Sequence, residues 1–180
     1  YYDDFYNHSI KHLAGIPACT MRELKEKFIL AIVSVNALEG IRFYVSFACS
    51  FALAKNGVMT GSAKILQEIC RDENLHLALT QKIVKRFSSG DEGKEWKEIY
   101  ESQKDAMYDI YRTTINQEKQ WAKYLFSQGQ LLGLNEHVLG NYVDYISTKR
   151  MKSIGLDPIN LEYTNPCPWM DEFISNKNVQ

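Results

Sequence analysis

Arg71-Asp72-Glu73-Asn74-Leu75-His76 sets four ionisable or metal-capable side chains into a stretch that is otherwise apolar at helical spacing. Around it Ile65, Leu66, Ile69, Leu75, Leu79 and Ile83 recur every three or four residues, which predicts a helix from Thr60 to about Phe87. Ser88-Ser89-Gly90 closes it, and Asn56-Gly57 before it ends the preceding element. Glu73 and His76 are three apart, so both side chains leave one helical face about one turn apart. A carboxylate oxygen and an imidazole nitrogen can then reach the same ion.

Glu-x-x-His is the half-signature of helical bundles that hold two metal ions with carboxylates, and each such pair needs one further Glu from a neighbouring helix. Glu39 fits that need. Thr20 with Glu23 forms the pattern of a capping box, and from Arg22 to about Lys55 there is no proline and one glycine, Gly40. This stretch is apolar on nearly every face except at Asn36, Glu39 and Arg42, which predicts one long helix buried all round. An ionised carboxylate there is costly unless it is paired or ligated. Alternatives stand beside the metal reading: a Glu39–Arg42 salt bridge, a core histidine at His76 held by a backbone carbonyl, and Asp72 paired with Arg71.

Phe28 to Ala54 is long enough to cross a bilayer. Glu39 and Arg42 lie in its middle, where each ionised group costs on the order of 3 kcal/mol in a membrane, so a core helix is expected. A net charge of −1 with dispersed Lys and Arg argues against a nucleic-acid or anionic-membrane surface. Cys19, Cys49, Cys70 and Cys167 form no C-x-x-C pair, so neither a zinc knuckle nor a redox dithiol is encoded, and free thiols point to a reducing, cytoplasmic setting.

Further along, Gly93 to Ser127 reads as a third, partly exposed amphipathic helix that ends at Gly129 and Gly133. Asn135 to about Ile154 reads as a fourth, capped by Asn135 and Gly155. From about 156 to 180, Pro158, Pro166 and Pro168 predict an extended segment pinned by Trp169, Met170 and Phe173. The opening Tyr1-Tyr2-Asp3-Asp4-Phe5-Tyr6 resembles the inside of a folded element, and the chain is expected to start mid-protein.

Four blocks resemble one family. Val35-Asn36-Ala37-Leu38-Glu39-Gly40-Ile41-Arg42-Phe43-Tyr44-Val45-Ser46-Phe47 and Arg71-Asp72-Glu73-Asn74-Leu75-His76 are similar to the second-half metal motifs of the class Ia ribonucleotide reductase small subunit. Glu118-Lys119-Gln120-Trp121-Ala122-Lys123-Tyr124-Leu125-Phe126 and Asn165-Pro166-Cys167-Pro168-Trp169-Met170 resemble its later helix and extended stretch. The resemblance implies an all-α, ferritin-like helical bundle, of which residues 1–180 are the C-terminal part. It further implies two Fe ions, or Mn, with Glu39, Glu73 and His76 as metal ligands and the other ligands in an absent N-terminal half.

By the same resemblance Phe43, Phe47 and Ile69 wall a dry radical pocket, and Asp72 hydrogen-bonds a ligand histidine from the other half and joins the radical path. The family's radical tyrosine has no counterpart, since position 80 is Thr80. The implied activity is that of the whole subunit: an iron pair uses dioxygen to make a tyrosyl radical that drives reduction of ribonucleoside diphosphates on the large subunit. The implied partners are that large subunit, a second copy of the small subunit and the missing half, without nucleic acid or membrane. Another ferritin-like di-iron oxidase, a homodimer building a symmetric site from two copies, and a non-catalytic helical bundle remain as alternatives. The isolated chain is expected to be poorly soluble, because the Phe28–Ala54 helix would expose apolar faces.

Overall fold

In the computed structural model, which describes residues 1–15, 20–131, 133–160 and 164–174, the chain is helical almost throughout. The elements are α1 (Tyr2–Leu13), α2 (Met21–Ala37), a π-helical segment (Leu38–Arg42), α3 (Tyr44–Lys55), α4 (Thr60–Ser89), α5 (Lys94–Ser102), α6 (Lys104–Leu125) and α7 (Glu136–Ser153). A 3-10 turn (Pro168–Met170) leads into the single turn of α8 (Asp171–Ile174). Among the described residues the only β feature is an isolated bridge between Leu131 and Leu134.

Local chemistry starts two helices as the sequence predicts. Thr20 Oγ1 accepts from the Glu23 amide at 3.2 Å while Glu23 Oε2 accepts from the Thr20 amide at 2.6 Å, a complete capping box. Asn135 Oδ1 accepts from the Val138 amide at 2.9 Å at the start of α7.

The predicted single helix from Arg22 to Lys55 is instead three pieces. Its middle widens into the π segment, and the regular α-helix resumes only at Tyr44. Such wide turns cost helix geometry and persist where tertiary contacts favour them. Here α7 supplies one: Arg150 Nε donates to the Gly40 carbonyl at 3.3 Å. Gly40 permits the approach, because a Cβ there would lie 3.0 Å from Leu77 Cδ1 and 3.1 Å from Arg150 Cγ. The piece is also not buried all round: Ile29, Val33, Ala37, Ile41, Val45, Ala48 and Phe51 form the core face, while Leu38 and Phe43 are exposed. Met21–Lys55 is long and apolar enough to cross a membrane by length and composition, yet 56% of its most apolar window is buried inside this bundle, against α4, α6 and α7.

The predicted third helix breaks at Gln103, whose amide bonds back to Ile99 and Tyr100. No breaker residue causes this. The bend lets buried Tyr100 donate its hydroxyl to the Ile154 carbonyl at 2.8 Å, a tertiary bond that a straight helix over this span does not provide for in its pattern. The segment after 156 is likewise not wholly extended, since Pro168 opens the 3-10 turn at a position where its missing N–H costs nothing. Its anchors do hold: Met170 is fully buried and Phe173 stacks on Phe51 with centroids 4.7 Å apart. Residues 161–163 and 175–180, and Cys19, lie outside the described residues.

A buried polar chain ties three helices behind the site. Tyr111 of α6 donates to Asn36 Oδ1 at 2.7 Å, Asn36 of α2 donates to Thr80 Oγ1 at 2.8 Å, and Thr80 of α4 donates to the Leu77 carbonyl at 3.0 Å. Every member is satisfied, which lets polar groups sit in the core and fixes the helices' mutual register.

The exposed apolar surface expected on Phe28–Ala54 is found mainly on α4. One of its faces packs Ala63, Cys70, Leu77, Val84 and Phe87 inward, while Ile65, Ile69, Leu75 and Leu79 are 43–67% exposed.

Candidate metal centre

Glu39 leaves the π segment, and Glu73 and His76 leave α4. Because the π turn widens the helix, Glu39 and Arg42 no longer sit one α-turn apart. The Glu39 carboxylate faces α4: its Oε1 is 3.6 Å from His76 Nδ1, and Glu73 Oε2 is 3.7 Å from the same nitrogen. One ligand atom from each of the three residues lies within 4.8 Å of the others.

The arrangement asks for a cation. Glu39 Oε2 is buried with no hydrogen-bond partner among the described residues, a state that costs free energy for a carboxylate. Burial pushes the Glu39 carboxyl above its ordinary value; His76 pulls it back, and Glu73 raises it further. Two carboxylates aimed at one imidazole with an oxygen left over fit a hard divalent metal, and one histidine among carboxylates suits iron or manganese. His76 is 58% exposed, so it is not a core histidine held by a carbonyl.

The surroundings settle two further alternatives. Arg71 pairs with Glu68, not with Asp72. Asp72 is exposed and makes no hydrogen bond or ion pair with the described residues. Of the three residues expected to wall a pocket, Phe47 is 5% exposed and packs between Tyr44 and Phe51, whereas Phe43 and Ile69 are 38% and 43% exposed. Within this chain the three do not close a dry cavity. Burial pushes the thiols of Cys49, Cys70 and Cys167 up to about 11, which leaves them unreactive.

Three supporting residues escaped the sequence reading. Tyr44, almost fully buried, donates to Asn74 Oδ1 at 3.0 Å and accepts from Arg150 Nη2 at 2.9 Å. This chain joins the π segment's exit, α7 and the residue after Glu73. No local pattern marks it, because Tyr44 sits among apolar residues, Asn74 looks like any helix-surface amide and Arg150 lies in the last turn of α7, where a cation is expected anyway.

A helical bundle that turns two carboxylates and a histidine from adjacent helices toward one point defines a candidate carboxylate-bridged metal protein, with part of its ligand set in view. The family model for the ribonucleotide reductase small chain matches residues 2–166, and the chain belongs to that family. It is 48% identical over 160 residues to the ribonucleoside-diphosphate reductase 1 subunit beta of Salmonella typhimurium, covering 89% of this chain and 43% of that protein. It is 43% identical over 190 aligned residues to the subunit beta of Buchnera aphidicola from Baizongia pistaciae, covering 100% of this chain and 50% of the relative.

Among solved structures, the ribonucleotide reductase R2 subunit from Clostridium botulinum superposes with a TM-score of 0.72 at 34% identity, over 80% of this chain and 44% of that one. The fold is the ferritin-like helical bundle. The chain spans about half the length of the relatives it matches, and the matched stretch is their C-terminal portion.

Proposed function

We propose that residues 1–180 form the C-terminal half of the radical-generating small subunit of a ribonucleoside-diphosphate reductase, contributing Glu39, Glu73 and His76 to a dinuclear iron or manganese site. The observation that carries this reading is the convergence of those three groups with Glu39 Oε2 left buried and unpartnered. The remaining ligands come from an N-terminal half that packs on the exposed apolar face of α4. Bound there, the metal pair supplies the oxidising chemistry that uses dioxygen to leave a stored radical on a tyrosine of that other half.

The chain's own residues bind and shield. Glu39 and Glu73 bring negative charge to ions that a buried site would otherwise disfavour, and His76 offers Nδ1 at the same point. Asp72, exposed on the same helix as Glu73 and His76, is free to accept from a histidine of the complementing half, fixing its tautomer and linking the site to the radical path. Phe43 and Ile69, exposed in this chain, become pocket walls with Phe47 once the missing helices cover them. The large subunit holds the ribonucleoside diphosphate, a second copy of the small subunit completes the assembly, and the protein works in the cytoplasm.

Iron stoichiometry and low-temperature paramagnetic resonance after ferrous ion and oxygen test this, on the chain alone and with the upstream half supplied. Metal and a tyrosyl signal in the complemented sample only are expected. Two irons bound by the chain alone would instead indicate a symmetric site between two copies.

A further inference from the structure

The motif block that begins at Glu118 has no part in the ligand set, yet its carboxylate is among the most deeply buried charged groups of the bundle, 4% exposed on α6. Its Oε1 accepts from the backbone amide of Val45 at 3.1 Å. Val45 stands in the first turn of α3, immediately past the π segment, where amides lack the partner four residues back that a continuing helix provides. One turn further along α6, Trp121 Nε1 donates to Ser46 Oγ at 3.0 Å, so α6 grips two consecutive residues of that turn. On the other side α7 grips Gly40 through Arg150.

The wide turn is thus clamped at both ends: a guanidinium takes one of its carbonyls and a carboxylate takes the amide where the regular helix resumes. Glu39 lies between the two clamps. We infer that Glu118 is a positioning residue for the metal site, capping the restart of α3 from a neighbouring helix and thereby holding the π segment in the form that turns Glu39 toward Glu73 and His76. The inference rests on the ligand reading above. Groups that face Glu118 support a capping carboxylate: Arg42 of the π segment draws its charge, and Cys49 of α3 is a thiol that stays neutral beside it.

A coupling of this kind is reciprocal: if the Glu118–Val45 bond favours metal binding, metal binding must strengthen that bond by the same factor. The test uses the protein assembled with the half that completes the site, with Co2+ as the metal and amide hydrogen exchange as the second readout. In metal-free protein, Glu118→Leu speeds exchange of the Val45 amide and its neighbours in 39–46 about tenfold, leaves the α4 amides near Val84 unchanged, and weakens Co2+ binding about tenfold. Glu118→Gln, whose amide oxygen can still accept, restores both to within about twofold of the parent. Unchanged Val45 exchange, or unchanged Co2+ affinity, in a folded leucine variant overturns the inference.

Should the leucine variant not fold, the unaltered protein decides, because Co2+ must slow Val45 exchange and a rate indifferent to Co2+ overturns the inference. Absence of any Co2+ uptake by the unaltered assembly overturns the ligand reading, and with it this one. Uptake without an effect at Val45 removes the inference alone.

Discussion

His76 Nδ1 lies 3.6 Å from Glu39 Oε1, joining a residue of α4 to one of the π segment across the seam between two helices. The contact is longer than a hydrogen bond, and the second Glu39 oxygen is buried without a partner. Glu39 is therefore held at a loss to the metal-free fold. Glu39→Gln is expected to raise the melting temperature of the metal-free protein at neutral pH while lowering metal affinity at least about tenfold. Calorimetry and metal titration check the two halves separately, and a lower melting temperature would show that Glu39 is a structural ion-pair member.

Glu118 gives a pH signature of its own. Burial lifts its carboxyl from the ordinary 4.5 to about 7, with the Val45 amide and Arg42 pulling down. A carboxyl raised on folding contributes stability that is complete below about 4.5 and is lost as pH rises through about 7. Glu118→Gln should match the parent at pH 4.5 in urea melts and exceed it above pH 7 by about 1–3 kcal/mol. Parallel stability curves across that window would contradict the assignment.

The Tyr111–Asn36–Thr80 chain predicts a cost without a change of shape. Tyr111→Phe strips the donor from buried Asn36 Oδ1 and should lower stability by about 1–2 kcal/mol, with helix content intact. Denaturant midpoints measure it; a neutral result would mean that another donor reaches Asn36.

The open face of α4 predicts association. Leu75→Glu with Leu79→Lys should turn a self-associating preparation monodisperse in light scattering, without loss of helicity, and should weaken assembly with the complementing half. Unchanged assembly would place that half elsewhere.

Much of this was legible in the residues themselves. Glu73 and His76 follow from spacing on one helix, and Thr20 and Asn135 announce their caps because capping is local chemistry. Glu39 stood out because a carboxylate interrupted an apolar run. What sequence could not give is whatever depends on a distant partner. The π turn needs Arg150 and Glu118 from other helices, and the bend at Gln103 lets Tyr100 meet Ile154. The apolar spacing of Ile65, Ile69, Leu75 and Leu79 predicted helix correctly, yet it could not say that those side chains await a surface this chain does not contain.

The widened turn at Leu38–Arg42 also sets how this gene can tolerate insertions and deletions. Losing a single codon within it would let α2 run into α3 as a regular helix, in which each residue advances the spiral by about 100°. Everything after the deletion would then be rotated by that amount against what precedes it, turning Val45, Ala48 and Phe51 away from the core they fill. A one-residue length change, harmless in the loop at Asn56-Gly57, would at this point of the chain dismantle the bundle's centre.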